Sequence, residues 1–345
     1  MSKQTILVTG GAGYIGSHTI VALTEMTDHR IISADNYTNS SEETYKRIET
    51  ITGKNIEHVE ADLSDKKQAE DIFQKYPDIS GVIHFAAFKS VPESVLQPLM
   101  YYRNNLNSLT NLLELGSQHK VRNFIFSSSC SVYGNIAQLP VNEETPRGNV
   151  ESPYAFTKVI GEKILEDAIH SFKGMKGIAL RYFNPVGAHE SGKLGELPNQ
   201  RPNNLVPVIT QTAIGKIPKM QIFGNDYPTR DGTCVRDYIH VCDIAEAHVK
   251  ALNLLTENNT QKDFDLFNLG SGEGVTVLEA IRAFEKISGK KLNYEITGRR
   301  AGDVEAIYSD SSKAEKILGW KTRRSLDEMM STAWKWELFL AAKQS

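Results

Sequence analysis

The chain has 345 residues with 42 acidic against 39 basic side chains, and its net charge of -3 leaves no electrostatic footprint for a nucleic-acid polymer. Hydrophobic residues at 40% and charged residues at 23% are those of an ordinary globular protein, and no apolar run approaches the roughly 20 residues that span a bilayer. The length exceeds the roughly 250 to 300 residues at which a single core stops growing, so two domains are expected. Cys130, Cys234 and Cys242 are odd in number and lack Cys-x-x-Cys spacing, which fits a reducing compartment better than a disulfide framework. With no leader-like segment before the first strand, a cytoplasmic location is expected.

Thr5 to Thr9 reads as a strand, followed by Gly10-Gly-Ala-Gly13-Tyr-Ile-Gly16 and an apolar-periodic helix through Ile20, Val21 and Leu23. Glycines in such a turn let backbone N–H groups approach a pyrophosphate, whose charge is favoured at a helix N-terminus. A second strand, Arg30 to Ala34, leads into Asp35, where an acid can hydrogen-bond an adenosine ribose and would repel a 2′-phosphate. NAD rather than NADP is therefore the expected cofactor. Strands at Ile56 to Glu60 and Gly81 to Phe85 alternate with a helix around Ala69 to Phe73. Ligands of open parallel sheets sit beyond the carboxyl ends of the strands, so Asp62, Ala86 and Lys89 become candidate cofactor contacts.

A long helical pattern follows Pro98, carrying Leu99, Tyr102, Leu106, Leu109, Leu112 and Leu113, with Asn104 and Asn105 on another part of its surface. Asn123 to Phe126 reads as a strand running into Ser127-Ser-Ser129. The helix after Pro153 carries Val159, Ile160, Ile164, Leu165, Ala168 and Ile169. Its first turns hold Tyr154 and Lys158, a Tyr-x-x-x-Lys spacing that occurs nowhere else in the chain. At i and i+4 the two share a helix face, so the ammonium is expected to favour the ionised phenol and make it a base near neutral pH. Ile178 to Phe183 is expected to be the last strand of a cofactor-binding domain, residues 1–186, that also carries the catalytic residues. Residues 187–345 are expected mainly to bind substrate, with some of that chain free to return to the first domain.

Glu190 to Asn204 and Gly224 to Arg236 are polar and turn-rich, and a strand at Tyr238 to Val241 precedes a helix from about Asp243. Asn268-Leu-Gly270-Ser-Gly272-Glu-Gly274 has the composition of a second nucleotide loop. Thr276 and Glu279 fit a capping box, however, and no second βαβ unit follows, so it reads as a helix entry. Arg236 and Arg300 suit a diphosphate, which guanidinium groups bind in bidentate fashion. No histidine pair has helical zinc-site spacing and no Gly-x-Ser-x-Gly elbow occurs, which argues against metal or serine-hydrolase chemistry.

With the glycine loop, Asp35, Ser129 and Tyr154-Ala-Phe-Thr-Lys158 assembled, the chain resembles the extended short-chain dehydrogenase/reductase superfamily. Five stretches are similar to those of its nucleotide-sugar epimerases: Thr9 to His18, Phe126 to Gly134, Arg181 to His189, Gly224 to Thr229 and Val235 to His240. The resemblance implies an α/β fold, a Rossmann-type doubly wound parallel sheet with a smaller α/β substrate-binding domain. It implies an isomerase that reversibly interconverts UDP-glucose and UDP-galactose through a 4-keto sugar, serving galactose metabolism and UDP-galactose supply. It also implies a homodimer formed through the helices around Leu106 and Ile164.

The same resemblance assigns catalysis to Tyr154, Lys158 and Ser129. It assigns NAD to Gly10, Gly13, Tyr14, Ile15, Gly16, Asp35, Asn36, Asn39, Ser40, Asp62, Leu63, Phe85, Ala86, Ala87, Lys89, Asn104, Tyr154, Lys158 and Phe183. The UDP-sugar falls to Lys89, Ser129, Tyr154, Asn184, Asn204, Leu205, Phe223, Arg236, Arg300, Asp303 and Ile307, the last at a position that gates sugar size. Related 4,6-dehydratases carry an Asp-Glu pair where this chain has Cys130 and Ser131, which disfavours elimination of water. A nucleotide-sugar reductase or a non-catalytic NAD-binding regulator would share the cofactor loop. Retention of Ser129, Tyr154 and Lys158 together argues against the regulator.

Overall fold

In a computed structural model that describes residues 3–197, 202–300 and 303–343, the first half of the chain alternates strands and helices. These are β1 (Thr5–Thr9), α1 (Tyr14–Met26), β2 (Arg30–Asp35), α2 (Glu43–Thr52), β3 (Glu57–Glu60), α3 (Lys66–Lys75) and β4 (Ile79–His84). They continue as α4 (Val91–Leu96), α5 (Pro98–Gln118), β5 (Asn123–Ser129), a 3-10 turn at Cys130–Tyr133, α6 (Pro153–Ser171) and β6 (Lys176–Tyr182). The second half comprises β7 (Asn184–Val186), α7 (Leu205–Ala213), β8 (Met220–Phe223), β9 (Val235–His240), α8 (Val241–Thr256) and β10 (Phe264–Leu269). β11 (Gly274–Thr276), α9 (Val277–Ser288), β12 (Tyr294–Thr297), β13 (Ala306–Ile307), α10 (Ser312–Leu318) and α11 (Leu326–Ala342) complete it. Parts of the turn-rich runs 190–204 and 299–303 lie outside the described residues.

A seven-stranded parallel sheet, ordered β10-β6-β5-β4-β1-β2-β3, forms the main layer. Every residue of β1 is buried, as expected for a strand covered on both faces. The order reverses between β4 and β1, which opens a crevice at their carboxyl ends where dinucleotides bind in such sheets. Ile178 to Phe183 is not the last strand of this sheet. β10 pairs in parallel with β6 from Phe264↔Gly177 to Leu269↔Tyr182, after α8 has crossed back and packed on α1. The physical reason is burial: Val241, Ile244, Ala245, Val249, Leu252 and Leu255 of α8 are enclosed, and all but Val241 share one cluster with Phe267 of β10 and with Ile20 and Leu23 of α1. Truncating a side chain such as Phe267 to alanine should cost about 3–5 kcal/mol.

A smaller layer sits over the carboxyl edge. β9 pairs with β11, β13 and β7, β8 pairs with β12, and α7, α9 and α11 share a separate apolar cluster. The capping box expected at α9 is present, with Thr276 and Glu279 bonding reciprocally. The glycine loop before it has its donors filled from within the chain. Asp237 accepts from Ser271 N at 2.7 Å, Ser271 Oγ at 2.6 Å, Gly272 N at 3.1 Å, Ser309 N at 3.0 Å and Ser309 Oγ at 2.7 Å.

Candidate active site

β5 ends at Ser129, whose extended backbone and side chain, accepting from Ser131 N, start the 3-10 turn. Ser152 then caps α6 by accepting from Ala155 N at 3.2 Å, and Pro153 opens the first turn. These two starts put Tyr154 in the first turn of α6, facing Ser129, and Lys158 one turn further on. The Ser129 hydroxyl lies close enough to the Tyr154 phenol to influence its titration, and the buried Lys158 ammonium lies 5.9 Å from the Tyr154 ring centre.

Burial pushes the Tyr154 phenol up to about 12, with the Ser129 hydroxyl opposing it. Burial also pulls Lys158 down to about 8, with the Glu162 carboxylate opposing. The expectation that Lys158 lowers the phenol below its ordinary value is therefore not met in the protein alone. Loss of water sets the direction, and the ammonium donates to Ser127 O at 2.7 Å rather than to the phenol.

Beneath this corner is a buried polar network. Glu162, 1% exposed, accepts from Ser128 Oγ at 2.5 Å, from Arg181 Nε at 2.8 Å and Nη2 at 2.6 Å, and from Arg147 Nη2 at 2.6 Å. Arg181 also donates to the Tyr133 hydroxyl at 3.0 Å, and that hydroxyl donates to Asn268 Oδ1 at 2.7 Å. Ser128, Tyr133, Arg181 and Asn268 fall in stretches named in the sequence, but none of the network residues carries a site assignment there. The usable signal is the i+4 spacing of Glu162 from Lys158, a buried acid one turn beyond a buried cation.

The glycine loop and the strand ends near it form the dinucleotide side. An added Cβ at Gly10 would stand 2.7 Å from Ala86 N, and one at Gly16 would stand 2.3 Å from Gly10 O, so the backbone there leaves no room for side chains. The N-terminus of α1 has no side-chain cap and no acid in its first turn, leaving amide donors for an anion. Asp35 takes Ala12 N on one oxygen at 3.0 Å and Tyr37 N and Ser40 Oγ on the other at 2.9 and 2.7 Å. Its carboxylate is thus fixed beside the glycine turn. A dinucleotide with a free ribose 2′-hydroxyl fits this cradle.

Other cofactor candidates have visible local work. The Asp62 carboxylate accepts from Ser64 N and Oγ, in the turn before α3, and Asn36 Oδ1 accepts from Thr38 N. Leu63 and Phe183 are in packed clusters, and Phe85 and Ala86 are partly buried against others. Asn104 donates to Asn105, and Asn105, not selected as a site residue from sequence, holds Phe88 N and O and donates to Thr157 Oγ1. Asn105 thereby fixes the Ala86-to-Lys89 loop against α5 and α6. Asn39, Tyr14, Ile15 and Ala87 lie in the same strand-end loops or the first turn of α1.

The substrate candidates form a second bank. Asp303 accepts from Arg300 Nη2 at 2.8 Å and pairs with Arg236 Nη2 at 3.6 Å, while Arg300 stacks 5.1 Å above the Phe223 ring. Asn184 opens β7 beside β9, and Leu205 opens α7. Lys89 and Asn204, from opposite layers, both donate to Glu196 Oε1, at 3.0 and 2.8 Å. The Cys130 thiol lies within electrostatic reach of both Ser129 and Arg236, linking the two banks. Ile307 is 5% exposed and packed with Val132, Tyr133, Val141 and Phe183. Among the described residues no group of histidines, cysteines or carboxylates could hold a metal.

Comparison with known proteins agrees with this geometry. A family profile described as GDP-mannose 4,6 dehydratase matches residues 7–333. The UDP-glucose 4-epimerase of Drosophila melanogaster is 47% identical over 98% of this chain and 97% of its own. The UDP-glucose 4-epimerase of Bifidobacterium longum, solved with NAD+ and UDP, superposes with a TM-score of 0.93 at 45% identity, covering 97% of this chain and 98% of its own. That of Stenotrophomonas maltophila, solved with NAD and formylated UDP-arabinopyranose, has a TM-score of 0.94 at 42% identity over 99% of both chains. The chain belongs to the UDP-glucose 4-epimerase family, an isomerase branch of the extended short-chain dehydrogenase/reductases.

Proposed function

We propose that this protein interconverts UDP-glucose and UDP-galactose. The observation that carries the reading is the approach of the Ser129 hydroxyl to the Tyr154 phenol at the carboxyl end of β5, in the sheet that also carries the glycine cradle, with Arg236 within electrostatic reach of the adjoining Cys130. NAD+ held by the glycine cradle and Asp35 would supply a reversible hydride acceptor and a positive charge that favours the phenolate. Tyr154 takes the proton from the sugar 4-hydroxyl, Ser129 orients that oxygen, and Lys158 offsets the charge on the phenolate. Arg236, Arg300, Asp303, Asn184, Asn204, Leu205 and Phe223 hold the UDP portion, leaving the 4-keto sugar free to present its other face. Gly10, Gly13, Tyr14, Ile15, Gly16, Asp35 and the strand-end loops around Asn36, Asn39, Ser40, Asp62, Leu63, Phe85 to Ala87 and Lys89, with Asn104 and Phe183, would hold the dinucleotide.

Cys130 and Ser131 supply no carboxylate, so a 4,6-dehydratase lacks its acid/base pair here; burial also pushes the Cys130 thiol up to about 12. Residues 1–186 with β10 and α8 form the cofactor domain, and most of residues 187–345 the substrate domain. Exposed Val95, Leu96, Leu99 and Phe156 on α4, α5 and α6 are the surface offered to a second copy. The absence of disulfides at Cys130, Cys234 and Cys242 supports a cytoplasmic location.

Purified protein given UDP-galactose with no added cofactor should form UDP-glucose, and Tyr154→Phe should lower kcat by about 10² to 10⁴ with little change in nucleotide-sugar binding. Turnover only with a stoichiometric reductant would make the protein a reductase. Sedimentation at micromolar concentration should give a dimer; a monomer would contradict the assembly.

A further inference from the structure

The Glu162 network buries two charged side chains, Glu162 and Arg181, beside the catalytic corner. α6 places Glu162 one turn beyond Lys158, and three donors from three other elements converge on its two oxygens: Ser128 of β5, Arg181 of β6 and Arg147 of the loop before α6. Ser128 lies between Ser127, whose carbonyl takes the Lys158 ammonium, and Ser129, whose hydroxyl acts on the Tyr154 phenol. A single carboxylate thus touches the strand end that aims both catalytic partners, and it is the acid that favours the charged form of Lys158.

We propose that Glu162 is a positioning residue for the reaction, one whose carboxylate fixes the Ser127–Ser129 turn and supplies the counter-charge of the Lys158 ammonium. Arg181, 2% exposed and paired through both Nε and Nη2, holds the carboxylate in plane. Arg147, at 37% side-chain exposure, caps its outer oxygen and moderates its charge. The other ionisable groups facing this corner are His84 on β4, which burial and Lys158 keep neutral, Tyr182 on β6, Cys130 on the 3-10 turn and Tyr154 itself. Across α5, Tyr101 is tied to Glu93 of α4, and Tyr133 and Glu143 lie on the far side of Arg181. Among all these groups Glu162 alone acts on Lys158 as a counter-ion.

This inference rests on the proposed chemistry for its kinetic arm but not for its spectroscopic one. In the full chain labelled with 13Cε-lysine, the Lys158 resonance, assigned by its loss in Lys158→Arg, reports the ammonium directly. Glu162→Gln should lower its titration midpoint by about 1 unit, whereas Arg147→Gln should raise it, because it removes a cation from Glu162. The alkaline limb of the kcat–pH profile should move in the same two directions, with KM for UDP-galactose changed less than about two-fold in both variants. A purely architectural Glu162 would scale the profile without moving either midpoint, and midpoints within about 0.2 units of the parent in both variants would overturn the proposal. Should Glu162→Gln fail to fold, Arg147→Gln, at a partly exposed position, decides alone. If the resonance shifts as stated but no epimerisation is seen, the catalytic reading fails and the electrostatic role of Glu162 stands.

Discussion

Two glycine-rich loops in this chain, Gly10 to Gly16 and Asn268 to Gly274, share composition and both lead into helices, yet their donors go to different places. The first opens onto α1, which has neither a side-chain cap nor an acid in its first turn. The second wraps the Asp237 carboxylate, and the helix after it is closed by its own capping box. A helix N-terminus attracts anions in either case. What separates a ligand site from an architectural turn is whether the chain has already supplied the anion.

The contrast can be broken most strongly at Gly13. An added Cβ there meets only Gly10 O, at 3.1 Å, and its φ of -73° is open to any residue. Gly13→Val asks that oxygen to give by a few tenths of an ångström, and in the folded variant the side chain should fill the space of the pyrophosphate, cutting dinucleotide retention about 100-fold, or about 2.7 kcal/mol. Unchanged cofactor content in the purified variant would show that the first loop is as closed as the second. Asp237→Ala should do the reverse. Five donors lose their acceptor, so unfolding in urea should become easier by about 2–4 kcal/mol, and a variant as stable as the parent would contradict the plugged-loop account.

A pH dependence common to both regions is the most gradual test, because it is spread over several histidines rather than made by one substitution. Burial pulls His18 down to about 4 and His84 to about 3 near the first loop, and His240 to about 3 on the strand that carries Asp237. Because the folded values lie below the unfolded value of about 6.5, the unfolded chain binds more protons between these limits. Their stability contribution is full above about pH 6.5 and falls with pH, at up to about 1.4 kcal/mol per unit for each histidine. Thermal melts should show Tm dropping from pH 6.5 to 4; a flat Tm over that range would count against the buried neutral histidines.

The parallel sheet, the glycine turn and the Ser129–Tyr154–Lys158 corner are legible in the sequence because each rests on local signals: a β-branched run, a glycine spacing, a proline-led helix start. The return of β10 to the large sheet is not, since a strand's neighbour is set by what α8 can bury against α1, a contact between elements far apart in the chain. The titration of Tyr154 departs from its helical spacing for a related reason. That spacing gives the direction of the Lys158 side chain from the helix but not the enclosure of the phenol, and enclosure dominates. Glu162, Arg181, Tyr133 and Asn268 come from four separate elements, and no spacing in the chain announces that they meet.

The central claim is that Ser129, Tyr154 and Lys158 serve a hydride that leaves and returns to one carbon. UDP-galactose labelled with deuterium at C4, incubated with the purified protein in ordinary water and without added cofactor, tests it directly. UDP-glucose that retains the deuterium at C4 is the predicted result; UDP-glucose carrying hydrogen from solvent at C4 would contradict the account.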